Sequence, residues 1–194
     1  VYGIDATVVH PPHGLDPSAT PDPIDELAGW RDYFLVVSRL MPYKNVDVVL
    51  ETFRSLPEER LVVIGRGPLT QQLRRTATAN VSFLEGLSDA QMRWAYAHSR
   101  AVIAPSREDY GLTPVEGFSF GKPCLALRAG GYLDTVVEGV TGWFFDEATP
   151  SSLRVAIARL GASPLDESAI LDHADTFSPA AFNRRIRQEV EDLM

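Results

Sequence analysis

The stretch "YFLVVSRLMPYKNVDVVLETF", Tyr33 to Phe53, contains one complete strand–loop–helix unit. Its first five residues form a short apolar and β-branched run, which is typical of a buried strand. After the polar loop Ser38 to Lys44, apolar residues recur from Val46 to Phe53 with the i, i+3, i+4, i+7 spacing of one helix face. The stretch therefore predicts a strand, a loop and a helix in that order.

The same unit recurs along the chain. Further strand-like runs lie at Arg60 to Gly65, Val81 to Leu84, Ala101 to Ala104 and Pro123 to Leu127. Helical patterns lie at Leu69 to Ala79 and after the capping residue Ser88, and helix starts are predicted at Thr149-Pro150 and Ser178-Pro179. Short apolar strands alternating with helices predict an α/β fold with a doubly wound parallel sheet, Rossmann-like in type. Ligands of such sheets bind at the carboxyl ends of the strands.

The two ends of the chain differ from this pattern. Residues 1–30 contain one strand-like run, Ala6 to His10, followed by a proline-rich stretch, and they predict a connector with a first strand. We expect a ligand-binding Rossmann-like domain over 31–165 and C-terminal helices packing on its flank over 166–194. The chain begins with Val1 rather than Met, which suggests a piece of a longer protein.

Composition excludes several classes of function. With 194 residues, 45% of them hydrophobic, the chain is large enough for one substantial core. A net charge of −8 and a pI near 5.0 argue against nucleic-acid binding and against electrostatic docking on anionic lipid. The single cysteine, Cys124, permits no internal disulfide and favours a reducing, cytoplasmic location. No apolar run is long enough to span a bilayer, and no signal peptide opens the chain.

The stretch "SREDYGLTPVEGFSFGKP", Ser106 to Pro123, carries two carboxylates with seven residues between them, Glu108 and Glu116. Thr113 and Glu116 match a capping box, in which Glu116 would bind the Thr113 amide, although Glu116 could instead face a ligand. The free N–H groups of the helix that starts here form an anion site, and Gly111 would let a ligand approach the backbone. Glu108 is either a solvated loop residue or a partner for uncharged groups such as sugar hydroxyls.

Two cations follow the first strand. Arg39 and Lys44 either bind a diphosphate or are solvated loop residues. Lys44 and Lys122 are the only lysines among 18 basic residues, which favours a specific role for Lys44. The sequence has no Asp-x-Asp, so a bound diphosphate would be neutralised by side-chain cations and helix ends, and we predict no metal cofactor.

Other patterns are weaker. Gly65-x-Gly67 lacks the third glycine of a dinucleotide fingerprint and is interpreted as room for a ligand beside the backbone. Gly130-Gly131 follows a strand as an ordinary turn would. The pair His10 and His13 has no third ligand nearby, which argues against a zinc site.

Taken in order, these motifs resemble the C-terminal, donor-binding domain of GT-B glycosyltransferases, in the large family 4 of retaining enzymes. The resemblance rests on Ser38-Arg39-Leu40 with Lys44, Gly65-x-Gly67-Pro68, "VSFLEGLS", Ala104-Pro105-Ser106, the Glu108/Glu116 pair, Gly121-Lys122-Pro123, Ala129-Gly130-Gly131 and "EGVTGWFF". The sequences "YFLVVSRLMPYKNVDVV" and "EDYGLTPVE" are most similar to those of bacterial mannosyltransferases of surface-polysaccharide synthesis, whose usual donor is GDP-mannose. Leu133 and Asp134 depart from the Pro-Glu found in many relatives, which makes contacts from that loop uncertain.

The resemblance implies a role for each matched position. Glu116 would hold the ribose hydroxyls, Glu108 would face the transferred sugar, and Arg39 and Lys44 would bind the diphosphate. Arg39, Lys44 and Glu108 are thus the implied catalytic residues. The amides of the first helical turn would contact the sugar and distal phosphate, and the loop after Leu84 would border the base. The other implied donor-binding positions are Ser38, Gly65, Gly67, Gly86, Leu87, Gly111, Leu112 and Thr113.

The implied partners are a nucleotide-sugar donor and a glycan or lipid-linked acceptor, the latter bound through an N-terminal domain that precedes Val1 in the family. Peripheral membrane association is open for the full-length enzyme. Two other readings also stay open: another GT-B nucleotide-sugar enzyme such as an epimerase, and a domain that binds nucleotide without catalysis.

Overall fold

A computed structural model describes residues 7–192 and contains one sheet of six strands, all parallel to their neighbours. The strands are β1 (Tyr33–Val37), β2 (Leu61–Ile64), β3 (Val81–Leu84), β4 (Ser99–Ala104), β5 (Cys124–Leu127) and β6 (Gly142–Phe145). They lie in the order β3-β2-β1-β4-β5-β6. This order confirms the predicted doubly wound α/β fold, and it reverses between β1 and β4, where such sheets open a crevice for ligands.

Eight α-helices accompany the strands within the described residues. They are α1 (Val46–Arg54), α2 (Thr70–Thr76), α3 (Asp89–His98), α4 (Leu112–Ser119), α5 (Tyr132–Thr135), α6 (Pro150–Ala162), α7 (Glu167–Asp175) and α8 (Pro179–Asp192). The capping box predicted at Ser88 is confirmed, since its hydroxyl accepts from the Gln91 amide and the Gln91 side chain accepts from the Ser88 amide. The sequence reasoning did not identify β6, α5 or α7.

The core has two halves because both faces of the sheet are covered. Along β1, Tyr33 and Leu35 point into one half while Phe34 and Val36 point into the other. The first half packs under α3, α4 and α7, and the second under α1, α2 and α6. All four residues are fully buried, which explains why the strand reads as an unbroken apolar run.

The N-terminal segment has a different structure from the predicted one. Residues 7–10 form no strand, so the strand predicted from Ala6 to His10 is wrong over these four residues, and Ala6 lies outside the described residues. A strand needs a hydrogen-bonded neighbour, and Val8 is instead 72% exposed. The segment continues to a 3-10 turn at Asp25–Leu27 and is anchored by Leu15, Ile24 and Leu27, which are buried in the first half of the core.

No helix between residues 7 and 192 combines the length and apolarity needed to cross a membrane.

Candidate functional site

Two adjacent cavities open at the carboxyl ends of the central strands. The first, of about 440 Å³, lies where β1 and β4 end, and the second, of about 570 Å³, lies where β1, β2 and β3 end. Four residues line both cavities and make them one crevice: Val37, Ser38, Lys44 and Thr113. The crevice thus coincides with the point at which the strand order reverses, as expected for a ligand site of this fold.

The loop after β1 is held against the loop after β2 by direct backbone contact. The Ser38 amide donates to Ile64 and the Leu40 amide donates to Arg66. A Cβ at Gly65 would lie 1.8 Å from the Ser38 carbonyl oxygen, and one at Gly67 would lie 2.4 Å from the Leu40 carbonyl oxygen. The interpretation of these glycines as room for a ligand is therefore corrected, because the space is taken by the neighbouring loop.

The same β1 loop reaches across to β4. Asn45 adopts the left-handed conformation (φ 52°) at the end of a 3-10 turn, and its side-chain amide donates to the Pro105 carbonyl at 2.9 Å. This bond fixes the preceding residue, Lys44, above the end of β4. The two loops that border the first cavity are thereby tied together by a side chain that the sequence analysis did not single out.

Lys44 and Glu108 form an ion pair on the wall of the first cavity. The distance from Lys44 Nζ to Glu108 Oε1 is 2.5 Å, and the side chains are only 15% and 22% exposed. The hydroxyl of the buried Ser106 donates to the same Glu108 oxygen at 2.5 Å and lies 3.4 Å from the Tyr132 hydroxyl. Glu108 is therefore not a freely solvated loop residue, and Lys44 compensates its charge.

Two glycines hold the Glu108 backbone in place. Gly130 forms a parallel bridge with Glu108, and the Gly131 amide donates to the Glu108 carbonyl at 2.8 Å. A Cβ at Gly130, whose φ is +61°, would lie 2.1 Å from that carbonyl oxygen. The Gly130-Gly131 pair is thus more than an ordinary turn, since it fixes the backbone of Glu108, whose carboxylate lines the first cavity.

Helix α4 begins beside the Lys44–Glu108 pair. Its N-cap is Gly111 (φ 87°), no side chain caps it, and its first turn lines the first cavity through Leu112 and Thr113. Because the first amides of an α-helix lack intrahelical acceptors, they present donors and partial positive charge there. A Cβ at Gly111 would lie 2.3 Å from the Tyr132 ring, so this glycine makes room for an aromatic ring rather than only for a ligand.

The capping role considered for Glu116 is wrong. Thr113 lies inside the helix rather than at its N-cap, and its hydroxyl donates to the Val37 carbonyl at 3.3 Å. The Glu116 carboxylate instead accepts a hydrogen bond of 2.6 Å from the Tyr96 hydroxyl on α3. Burial raises the pKa of the Glu116 carboxyl above its ordinary value, while the bond from Tyr96 partly offsets this.

The second cavity contains the remaining sequence-predicted residues. Arg39 and Lys44 both line it, so the two cations border one cavity. Ser38, Gly65, Gly86 and Leu87 line it as well. Arg39 and Gly67 also border an open depression beside it, together with Arg66 and Arg74. Among the predicted residues, Glu116 stands apart, since its observed partner is Tyr96.

The sequence reasoning missed several residues of the first cavity. Ser106 lies just after the end of β4 and could have been identified from that position, whereas Tyr132 lies further along the chain, at the start of α5. Tyr110 and Pro11 could not be paired from the sequence, since the Tyr110 hydroxyl donates to the Pro11 carbonyl at 3.2 Å over a separation of 99 residues. Burial raises the pKa of Tyr110 to about 12.

The two histidines have structural contacts. The His10 ring stacks on Tyr110 at 5.4 Å between centroids, and His13 Nδ1 lies 2.8 Å from the Leu15 carbonyl oxygen. Within residues 7–192 there is no group of three or more His, Cys, Asp or Glu side chains placed to hold a metal ion.

Comparisons with known proteins identify the family of the chain. The family model described as "Glycosyl transferases group 1" matches residues 24–183. A glycogen synthase of Pseudomonas aeruginosa is 37% identical over 134 residues, which cover 65% of this chain and 26% of that protein. A GDP-mannose-dependent alpha-(1-6)-phosphatidylinositol monomannoside mannosyltransferase of Mycolicibacterium smegmatis is 29% identical over 194 residues, with 87% of this chain and 51% of that protein covered.

Solved structures extend the likeness to the fold. The crystal structure of Anabaena HepE in complex with UDP superposes with a TM-score of 0.71 at 22% identity, over 86% of this chain and 50% of that one. The chain thus spans between 26% and 51% of the length of these three proteins.

Proposed function

The chain belongs to the glycosyl transferases group 1 family, and from that premise we propose that it is the donor-binding half of a retaining hexosyltransferase. The proposed donor is a nucleotide sugar, and the acceptor is a glycan or a lipid-linked glycan. We assign the acceptor site to the part of the relatives' length that this chain does not span.

The convergence of Lys44, Glu108 and the uncapped start of α4 on one cavity carries this proposal. A nucleotide sugar has an anionic diphosphate joined to an uncharged ring rich in hydroxyls. The cation and the helix amides suit the diphosphate, and the carboxylate suits the hydroxyls, because an ionised carboxylate only accepts hydrogen bonds. The placement of these unlike groups side by side therefore fits both parts of such a donor.

The same groups explain how transfer would be promoted. Breaking the bond between the sugar C1 and the distal phosphate leaves positive charge on the sugar and adds negative charge to the diphosphate. Lys44, Arg39 and the α4 amides would stabilise that developing charge, and each such contact lowers a barrier by about 3 kcal/mol in comparable sites. Glu108 would hold the sugar hydroxyls. The acceptor hydroxyl would bond to C1 on the face from which the diphosphate leaves and pass its proton to the leaving phosphate oxygen, which gives retention.

We assign the ends of the donor to the two cavities. The sugar occupies the first cavity and the base lies in the second, near Gly86 and Leu87. Mannose and guanine are the preferred choices, supported by the name of the M. smegmatis relative and by the sequence resemblance. The glycogen synthases among the relatives make glucose the competing sugar.

The diphosphate is proposed to bind without a divalent metal, because Arg39, Lys44 and the helix end supply the compensating charge. We expect nucleotide affinity to be the same in EDTA and in millimolar Mg²⁺. A tenfold or larger gain with Mg²⁺ would contradict this part of the proposal.

A thermal-shift panel tests the donor assignment. Ligand at 100 times its Kd adds about 2.7 kcal/mol to the free energy of unfolding, which corresponds to a Tm increase of about 5–11 °C for a chain of this size. We expect that increase with GDP-mannose and GDP, a smaller one with UDP-glucose and ADP-glucose, and none with free mannose. The absence of a shift with every nucleotide at millimolar concentration would refute the donor site, and a preference for ADP-glucose would reassign the sugar and the base.

A further inference from the structure

The hydrogen bond between Tyr96 and Glu116 joins a buried phenol to a half-buried carboxylate. The Tyr96 hydroxyl donates to Glu116 Oε2 at 2.6 Å, and the Tyr96 side chain is fully buried. Its ring also stacks on Phe120, with 5.4 Å between centroids and 8° between planes. The donor therefore has one fixed position, and it determines where the carboxylate lies.

This pair lies one helical turn behind the wall of the second cavity. Met92 on α3 and Thr113 on α4 line that cavity. Tyr96 follows Met92 by four residues and Glu116 follows Thr113 by three, and residues so spaced share one helix face. Neither Tyr96 nor Glu116 lines the cavity itself, so a ligand reaches the Glu116 carboxylate only by extending past Thr113 toward the next turn of α4.

The bond leaves Glu116 able to bind a ligand. A carboxylate accepts up to about four hydrogen bonds, and the phenol supplies one of them at Oε2. A neighbouring pair of ribose hydroxyls needs an acceptor whose orientation is already fixed, because ordering a free Glu side chain on binding would weaken the complex. Tyr96 supplies that order before the ligand arrives.

We propose that Tyr96 is a positioning residue for nucleotide recognition, holding one oxygen of Glu116 so that the other faces the ribose hydroxyls. The inference rests on the proposed function and on the sequence resemblance, which implies that Glu116 holds the ribose hydroxyls. Tyr96 itself touches neither the nucleotide nor the sugar.

Electrostatics around Glu116 support this role. Burial raises the pKa of the Glu116 carboxyl, and the hydrogen bond from Tyr96 is the largest opposing effect, followed by the charge of His13 on the N-terminal segment. The phenol thus helps to keep the carboxylate ionised, which is the form that accepts from two hydroxyls.

A second buried tyrosine provides a matched control. Tyr33 is fully buried too, and its hydroxyl donates at 2.8 Å to a backbone carbonyl, that of Ala95, next to Tyr96 in the chain. Its bond satisfies a buried hydroxyl without involving either cavity. Tyr33→Phe and Tyr96→Phe therefore remove the same group from the same region, and they differ in whether a carboxylate loses its donor.

The experiment measures whether ribose hydroxyls and the Tyr96 hydroxyl are coupled. Calorimetric titration compares GDP with 2′,3′-dideoxy-GDP on the wild-type chain, Tyr96→Phe and Tyr33→Phe. The ADP and UDP pairs are measured in the same way, so that the result does not depend on the base. We expect wild type to prefer the ribonucleotide at least tenfold, Tyr96→Phe to lose three- to tenfold of that preference, and the dideoxy affinity to change less than twofold.

The outcomes separate the inference from the proposed function. Equal losses of ribo- and dideoxynucleotide affinity in Tyr96→Phe, or no loss in either, would overturn the positioning role while leaving the donor site intact. The same holds if wild type binds GDP without preferring its ribose. No binding of any nucleoside diphosphate to wild type would instead refute the proposed function.

A rescue variant covers the case in which Tyr96→Phe does not fold. Tyr96→4-aminophenylalanine keeps an N–H donor at the same ring position, and we expect it to show at least half of the wild-type ribose preference on a logarithmic scale. A folded rescue variant with no ribose preference would also overturn the inference.

Discussion

Replacing Glu108 with glutamine separates two effects that this carboxylate has on a bound donor. Glu108 compensates Lys44, with 2.5 Å between Nζ and Oε1, so it competes with a diphosphate for that cation. It would also hold the sugar hydroxyls. We therefore expect Glu108→Gln to bind GDP more tightly than wild type does, and to lose the additional affinity that the sugar gives GDP-mannose.

The size of the first effect follows from charge and exposure. Lys44 and Glu108 are 15% and 22% exposed, between a surface and an interior environment. Coulomb's law with an effective dielectric constant of about 40 gives roughly 1 kcal/mol per unit charge at about 8 Å. A diphosphate carries about two such charges, and screening at the open side removes about half of the total. The expected gain for GDP is about 1 kcal/mol, or about fivefold in Kd.

The second effect has the opposite sign. Hydrogen bonds to a charged group contribute about 1.5–3 kcal/mol each, so losing one from the sugar lowers GDP-mannose affinity about tenfold or more relative to GDP. The ratio of the two Kd values in one protein thus changes more than either value alone, and this ratio is insensitive to errors in protein concentration.

Isothermal titration calorimetry of GDP and GDP-mannose at low and physiological salt measures both effects. Asp109→Asn is the control, since Asp109 is exposed in the same loop and should alter either Kd less than twofold. Weaker GDP binding by Glu108→Gln, or an unchanged ratio of the two Kd values, would refute the reasoning.

Three further predictions follow from the contacts. Lys44→Met should weaken GDP binding tenfold or more in the same titration, and an unchanged Kd would place the diphosphate elsewhere. Gly130→Ala puts a Cβ at 2.1 Å from a carbonyl oxygen at positive φ, so it should lower the free energy of unfolding in urea by more than about 2 kcal/mol. Gly14→Ala, with nothing within 4 Å, should change it by less than about 0.5 kcal/mol, and equal effects would count against the packing argument. Because the raised pKa belongs to a carboxyl that must be ionised to accept ribose hydroxyls, GDP affinity should fall as pH drops through that pKa, while stability rises slightly since the folded state takes up the proton more readily. Glu116→Gln should bind GDP weakly and without this pH dependence. If the affinity of the variant for GDP fell at low pH as it does in wild type, Glu116 would be excluded as the cause of that fall.

The sequence predicted the sheet because its information there is local. Strands β1 and β2 are buried on both faces, so they read as continuous apolar runs that need no knowledge of their partners. Strand β6 was missed because it begins with Gly142, a poor strand former, and two of its four residues are only partly buried. Burial alone does not account for the difference, since β3 was identified although three of its four residues are only partly buried.

Contacts between residues that are distant in the chain could not be predicted from the sequence. The Thr113 to Glu116 spacing satisfies the local rule for a capping box, yet the helix starts earlier, at Leu112, because Gly111 takes a positive φ that the rule does not consider. The true partner, Tyr96, lies 20 residues upstream. The glycines show the same limit, since Gly65 was interpreted as room for a ligand and Gly130 as part of an ordinary turn, while the carbonyl groups that approach them could not be named.

These long-range contacts hold the Lys44–Glu108 pair in place, which the sequence motifs alone do not show. Asn45 ties the β1 loop to Pro105 and Gly130 fixes the Glu108 backbone, so the two loops that carry the Lys44–Glu108 pair are held in place by contacts outside the pair. A nucleoside diphosphate entering this site must weaken that pair without giving Glu108 a new partner, whereas a nucleotide sugar offers Glu108 its hydroxyls in exchange. We expect the donor to bind more tightly than the nucleotide left after transfer, which would favour release of the product. The Lys44–Glu108 pair would then affect the reaction cycle in two ways. The free energy needed to weaken the pair would lower the affinity for the nucleotide product, and Lys44 would also stabilise the charge that develops on the diphosphate.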